Sequence, residues 1–238
     1  MDKIINYGNL RSFAYSNDKL IKGRIKGVVI DFFGLGCQHM MNDKDTNEGI
    51  FFAESNIIYL IPYANPWGWM NKAEIALSDE IIDVIFEKYA LGEDTKIASI
   101  GGSMGGLCAI TYSYYAKRTP YLCVANCPVC DLPYHFTERV DLPRTLYSAF
   151  YDEDGGLEDV LKRYSPLHLA EKLPNIKYAV YHCTKDSSVN IDKHSEGFVR
   201  AMSGKNLTYV RVQDRDHCDL GPEKQNYLDL IKNTLLVE

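Results

Sequence analysis

Short runs of branched and aromatic residues alternate along this 238-residue chain with longer segments whose apolar positions recur every three or four residues. A short apolar run that ends at turn residues fits a strand buried on both faces, and an amphipathic segment fits a helix lying on such a sheet. The first pattern predicts strands at 25–31, 57–61, 97–100, 121–125, 176–181 and 207–212. The second predicts a helix at 78–89, with Ile81, Ile82, Ile85 and Tyr89 inward and Asp79, Asp83, Glu87 and Lys88 toward water. Another is predicted at 103–117, offering Leu107, Ile110, Tyr114 and Tyr115 for packing, with Pro120 just beyond it. A last helix opens at Gly221-Pro222, where proline suits the first turn. Strands alternating with helices predict an α/β fold around a mostly parallel central sheet.

Residues 131–169 break the alternation. They are too many for a simple crossover, carry Tyr134, Phe136, Tyr147, Phe150 and Tyr151, and hold the acidic stretch Asp152-Glu153-Asp154-Gly155-Gly156. They read as a small lid-like insertion. No stretch is rich enough in Ser, Pro or Gly to serve as a tether and no period repeats, so a single domain over 1–238 is the simplest organisation.

Composition narrows the function. A net charge of −6 argues against a general affinity for nucleic acid, which needs clustered Lys and Arg. A hydrophobic fraction of 46%, interrupted every few residues by polar positions, supplies a core but no membrane span. The N-terminal stretch Met1 to Tyr7 lacks the apolar run of an export signal, and seven scattered cysteines form no disulfide framework; both point to a reducing, cytoplasmic setting. A homo-oligomer is compatible with this composition.

The candidate chemistry starts at Gly101-Gly102-Ser103-Met104-Gly105-Gly106, where a small hydroxyl lies between glycines at a strand-to-helix turn. Ser103 is the candidate nucleophile, and Gly101 and Gly105 remove collisions that such a tight turn would otherwise force. A serine hydroxyl needs a base and a group to orient that base. Asp186 lies just beyond the strand at 176–181, and His217 just beyond the strand at 207–212. Loops that follow parallel strands converge on one rim, so these distant residues can meet there. Asp131, after the preceding strand, is a spare acid. The remaining histidines, His39, His135, His168, His182 and His194, read as surface or packing residues.

The order nucleophile, acid, histidine resembles the α/β-hydrolase superfamily, whose three-layer fold sets a mostly parallel sheet between helices. Tyr164-Ser165-Pro166-Leu167-His168-Leu169-Ala170, the strand before Asp186, and Phe198-Val199-Arg200-Ala201-Met202 are most similar to the catalytic domain of prolyl oligopeptidase-like hydrolases and related esterases. The resemblance implies that backbone N–H groups of Met104 and of Leu35, in Asp31-Phe32-Phe33-Gly34-Leu35-Gly36, form an oxyanion hole. This chain has Phe33-Gly34 where many relatives have His-Gly, and Cys218 after the histidine where glycine is common. The implied activity is that of a serine hydrolase without metal or organic cofactor, most simply a carboxylesterase for small or medium acyl esters. A peptidase-type amide hydrolase taking short peptides and a non-catalytic binding protein are the alternatives. With a histidine base of ordinary pKa, activity should fall as the pH drops through about 6.5.

Three weaker features complete the reading. Trp67 and Trp69 follow a strand and are candidate substrate contacts, core packing being equally available to them. Cys127-Pro128-Val129-Cys130, with Cys123 and His135 nearby, has the spacing of redox and zinc sites but lacks four well-spaced ligands. A phosphate cradle at the glycine turn is the other use of such a loop, although no P-loop or dinucleotide pattern accompanies it.

Overall fold

The computed structural model describes residues 4–237, so Met1 to Lys3 of the N-terminal stretch and Glu238 lie outside the described residues. Seven strands build one sheet: β1 (Ala14–Ser16), β2 (Gly27–Phe32), β3 (Ile57–Pro62), β4 (Ile97–Gly102), β5 (Leu122–Asn126), β6 (Lys177–Cys183) and β7 (Leu207–Val212). Their order is β1-β3-β2-β4-β5-β6-β7; β1 runs antiparallel to β3 and every other pair is parallel. The last six are the predicted strands with ends shifted by up to two residues. β1 was not predicted because three residues, Ala-Tyr-Ser, are too few to display a period.

Nine helices surround the sheet among the described residues: α1 (Asn47–Glu54), α2 (Lys72–Tyr89), α3 (Met104–Tyr115), α4 (Leu132–Glu138), α5 (Leu142–Phe150), α6 (Leu157–Arg163), α7 (Pro166–Leu169), α8 (Ser195–Ala201) and α9 (Lys224–Leu236). Because side chains alternate along a strand, Val28, Ile30 and Phe32 of β2 enter one core with Ile81, Ile82 and Ile85 of α2 and Leu107 and Ile110 of α3. Val29 enters the other with Phe52 of α1 and Leu228, Ile231 and Leu235 of α9. Each such aliphatic side chain, fully buried, contributes about 1.5–3 kcal/mol. The result is three layers with a core on each face.

α2 starts earlier than its apolar pattern suggests because Asn71 caps it, its side chain accepting the N–H groups of Ala73 and Glu74, each at 3.1 Å. Asp83, expected to face water, is instead buried, with Lys117 at 2.6 Å and Arg118 at 3.3 Å neutralising it. The inserted segment folds as α4 to α7. It is rooted in the first core through Leu142, Leu146 and Phe150 of α5 and Val160 and Leu161 of α6, leaving Tyr147 and Tyr151 exposed. Among the described residues no helix is long and apolar enough to cross a membrane.

Candidate active site

Ser103 occupies the single residue between β4 and α3, with φ 60° and ψ −123°. A residue with a Cβ avoids this region, at a cost of about 1–3 kcal/mol, and stays there only if its surroundings hold it. They do: Ser103 N–H donates to the Asn126 carbonyl (2.9 Å), and the Ser103 carbonyl accepts from Gly106, Leu107 and Val129. The close passage of β2 explains the glycines. A Cβ on Gly105 would sit 1.8 Å from the Phe32 carbonyl oxygen, and one on Gly101 would sit 2.3 Å from that of Gly105.

The loop after β2 passes beside Ser103, where a Cβ on Gly34 would be 3.7 Å from Ser103 Cβ. Gly36 N–H to the Pro66 carbonyl (3.0 Å) and Cys37 N–H to the Gly34 carbonyl (3.1 Å) fix that loop. Among the described residues, neither Leu35 N–H nor Met104 N–H is taken by a protein acceptor. Two free donors flanking a serine are the chemical requirement for holding a developing oxyanion.

Asp186 and His217 are joined directly, Nδ1 to Oδ2 at 2.8 Å. The other Asp186 oxygen accepts the N–H groups of Ser188 (2.9 Å) and Val189 (2.8 Å). His182, fully buried on β6, approaches the same carboxylate through Nε2 at 3.2 Å, while its Nδ1 pairs with Ser195 Oγ at 2.6 Å. Burial alone would raise the Asp186 pKa, but the hydrogen bonds from His182, His217 and the two amides hold it well below the usual carboxylate range. Burial likewise opposes a charged His217, yet the bonds to Asp186 and Cys127 and the Asp186 charge outweigh it and raise its pKa to about 9. The ordinary value assumed from sequence therefore does not describe this ring.

The loops bearing the acid and the histidine are tied together by Lys185 N–H to the Arg215 carbonyl (2.9 Å) and by Ser187 to Asp216 (2.9 Å). Asn126 Nδ2 donates to the Cys218 carbonyl (3.1 Å), bringing the histidine loop against the end of β5, one strand from Ser103. All three residues share the C-terminal rim. Ser103 Oγ and His217 make no hydrogen bond in this arrangement; Nε2 lies instead against sulfur, 3.7 Å from Cys218 Sγ. Cys127 Sγ, close by, accepts the N–H groups of Cys218 (3.3 Å) and Cys183 (3.4 Å).

Trp67 is 48% exposed, whereas Trp69 is fully buried. Trp69 packs edge-on against His135, and its Nε1 donates to Thr145 Oγ1 on α5 (3.2 Å), so it anchors the insertion and is not a surface contact. Asp131, the spare acid, caps α4 by accepting Tyr134 N–H (3.2 Å). Cys127 and Cys130 share no ligand cluster among the described residues. Two site residues escaped the sequence reading. His182 was taken for packing, although its position four residues before Asp186 hinted at contact. Glu74 lies 5% exposed under the rim; Oε2 accepts Met70 N–H (2.8 Å), Oε1 has no protein partner, and burial pushes its pKa up to about 8. Glu74, Phe32, Phe33, Asn65, Met104 and Cys108 help enclose a cavity of about 10 Å³, room for about one water.

No family model matches the sequence, and no curated protein does. Solved structures do. Dipeptidyl peptidase 4 of Porphyromonas gingivalis aligns over 90% of this chain with a TM-score of 0.66 at 17% identity, but over only 31% of its own length. S-formylglutathione hydrolase of Agrobacterium tumefaciens aligns over 88% of this chain and 83% of its own, with a TM-score of 0.63 at 16% identity. The fluorophosphonate-binding serine hydrolase F of Staphylococcus aureus aligns over 90% and 85%, with a TM-score of 0.65 at 15% identity. At these identities the likeness speaks to architecture, and together with the sheet order and the serine at the strand-to-helix turn it has one reading: this chain has the α/β-hydrolase fold.

Proposed function

We propose that the protein is a serine hydrolase acting on small acyl esters through an acyl-enzyme on Ser103. The observation that carries this reading is the strained φ of Ser103 beside two uncommitted N–H donors, on the rim that also carries the Asp186–His217 pair. Ser103 Oγ attacks the ester carbonyl while His217 Nε2 takes its proton, and Leu35 and Met104 N–H receive the oxyanion. The proton passes to the leaving alkoxide, and a water activated by the same nitrogen then releases the acid. Asp186 keeps Nδ1 protonated and stabilises the imidazolium. For the proton transfer, His217 Nε2 swings from the sulfur atoms toward Oγ, its Nδ1 bond to Asp186 acting as the pivot.

The exposed Trp67 is a candidate contact for the alcohol portion. Esters are favoured over peptide amides because this chain aligns with most of the length of S-formylglutathione hydrolase, but with under a third of the dipeptidyl peptidase. The test is fluorophosphonate labelling of wild type and Ser103→Ala, run beside a panel of p-nitrophenyl esters of increasing acyl length and of peptide amides. Labelling confined to wild type, with acetyl turned over faster than octanoyl and than any amide, is the expected result. A folded wild type that neither labels nor turns over any ester overturns the proposal.

A further inference from the structure

Away from the serine, the described residues contain a second arrangement of ligand atoms around the same histidine. Cys127 Sγ, Cys218 Sγ and a His217 ring nitrogen lie within 4.8 Å of one another. The ring nitrogen facing the sulfurs is Nε2, because Nδ1 is committed to Asp186. A carboxylate that holds the far nitrogen of an imidazole is also the usual support of a metal-bound histidine. Tetrahedral zinc with Zn–N of about 2.0 Å and Zn–S of about 2.3 Å sets N···S edges of about 3.5 Å and S···S edges of about 3.8 Å. The observed Nε2···Sγ separation at Cys218 is 3.7 Å. Cys127 Sγ already accepts two backbone N–H groups, contacts that a metal-bound thiolate would keep, although in the metal-free site the neighbouring Cys218 and burial push the thiol pKa up, so the ion itself must displace the proton.

Both cysteines have a backbone that favours glycine, with φ 45° at Cys127 and 59° at Cys218. A side chain with a Cβ is therefore held at each of two left-handed positions, and the pair meet although 91 residues separate them. Burial grades outward from Cys127, which is enclosed, to His217 and Cys218, which are half-buried, so an ion can enter from the rim. Of the other two histidine clusters, Cys127–His182–Asp186 has its imidazole fully buried, and His135–Glu138–His194 has its ring nitrogens committed. His135 Nδ1 (2.6 Å) and His194 Nε2 (3.0 Å) both bond Glu138 Oε2, while His194 Nδ1 accepts the N–H groups of Cys130 and Asp131.

We propose that Cys127, Cys218 and His217 Nε2 form a site for a thiophilic divalent ion, Zn²⁺, and that its occupancy switches the hydrolase off. Two sulfur ligands and one imidazole select zinc over magnesium or calcium, and three protein ligands leave the fourth position to water. Binding releases the thiol protons and occupies the lone pair that must accept the proton of Ser103, so a metal-loaded enzyme cannot generate its nucleophile. The inhibitory consequence rests on the serine-hydrolase reading; the site itself does not.

The experiment titrates Co²⁺ and then Zn²⁺ into reduced, chelator-stripped protein. It follows the visible and thiolate charge-transfer bands of Co²⁺ alongside the rate of fluorophosphonate labelling. Cys127→Ser and Cys218→Gly are each compared with their own metal-free rate, with circular dichroism reporting folding. The expected result is one equivalent of tetrahedral Co²⁺ with thiolate ligation, displaced by Zn²⁺. Labelling should slow at least about tenfold on loading and recover with chelator, and metal affinity should fall about tenfold or more in each folded variant. Sub-stoichiometric binding, or an unchanged Co²⁺ spectrum in the folded Cys127→Ser/Cys218→Gly protein, overturns the site. A thiolate-bound ion with labelling unaffected overturns the switch. If stripped wild type never labels while Co²⁺ binds through both thiolates, the hydrolase reading fails and the site stands.

Discussion

The raised pKa of His217 makes a sharp claim about pH. A base must be neutral to accept a proton, and with its pKa near 9 only about 1% of the metal-free enzyme carries a neutral ring at pH 7. The rate constant for acylation should therefore rise about tenfold per pH unit from 6 to 8 and reach a plateau about 100-fold above its pH 7 value. An ordinary histidine would already be within about twofold of its plateau at pH 7. The assay is kcat/KM for p-nitrophenyl acetate from pH 5.5 to 10.5 in the presence of chelator, with Ser103→Ala as the background at each pH. Cys127→Ala should move the midpoint down, since the hydrogen bond to Cys127 helps raise the pKa of the ring. A wild-type midpoint near 6.5 would refute the reasoning. Linkage gives the same shift a second consequence: the protonated ring stabilises the fold fully below about pH 6.5, and that contribution is lost as the pH rises through about 9.

Four further substitutions probe the scaffold. Gly105→Ala forces a Cβ to within 1.8 Å of backbone oxygen, so it should cost about 3 kcal/mol or more and lower Tm by about 6–12 °C; an unchanged melting curve would show that the crossing is looser than described. Trp69→Ala should destabilise by about 3–5 kcal/mol in urea titration while Trp67→Ala stays within about 0.5 kcal/mol, and equal effects would contradict their different burial. His182→Asn withdraws the Nε2 contact to Asp186, so kcat should fall more than KM changes and the pH midpoint should move; a stability loss with both kinetic features intact would make His182 structural only.

Most of the parallel strands were legible because a strand covered on both faces reads as a short, nearly continuous apolar run, as at Val28-Val29-Ile30 and Ile57-Ile58; the similar run at Ile81–Phe86 of α2 is broken by Asp83 and lies inside a longer amphipathic segment. The tight turn at Ser103 was legible because its conformation demands glycines around it, and the contact between Asp186 and His217 because parallel connectivity delivers the residue after each strand to one rim. Trp69 was ambiguous for the opposite reason. Its loop position suggested exposure, and it is the return of α4 and α5, through His135 and Thr145, that covers it. The Cys-x-x-Cys spacing drew attention to Cys127 but not to its partners, which arrive from a loop about 90 residues away through sheet pairing that local spacing does not encode.

β7 closes the sheet on one side, and most of its residues remain at least partly accessible, with β6 as its sole strand neighbour. The histidine hangs from the end of this least protected strand, while Ser103 follows β4 in the middle of the sheet. The two halves of the site therefore have unequal resistance to fraying. Accessible edge elements belong to the low end of the free-energy scale of local unfolding, and central strands to its upper end. On the proposed reading, warming should therefore withdraw His217 while Ser103 still stands on its turn, and esterase activity should be lost below the melting temperature followed by circular dichroism.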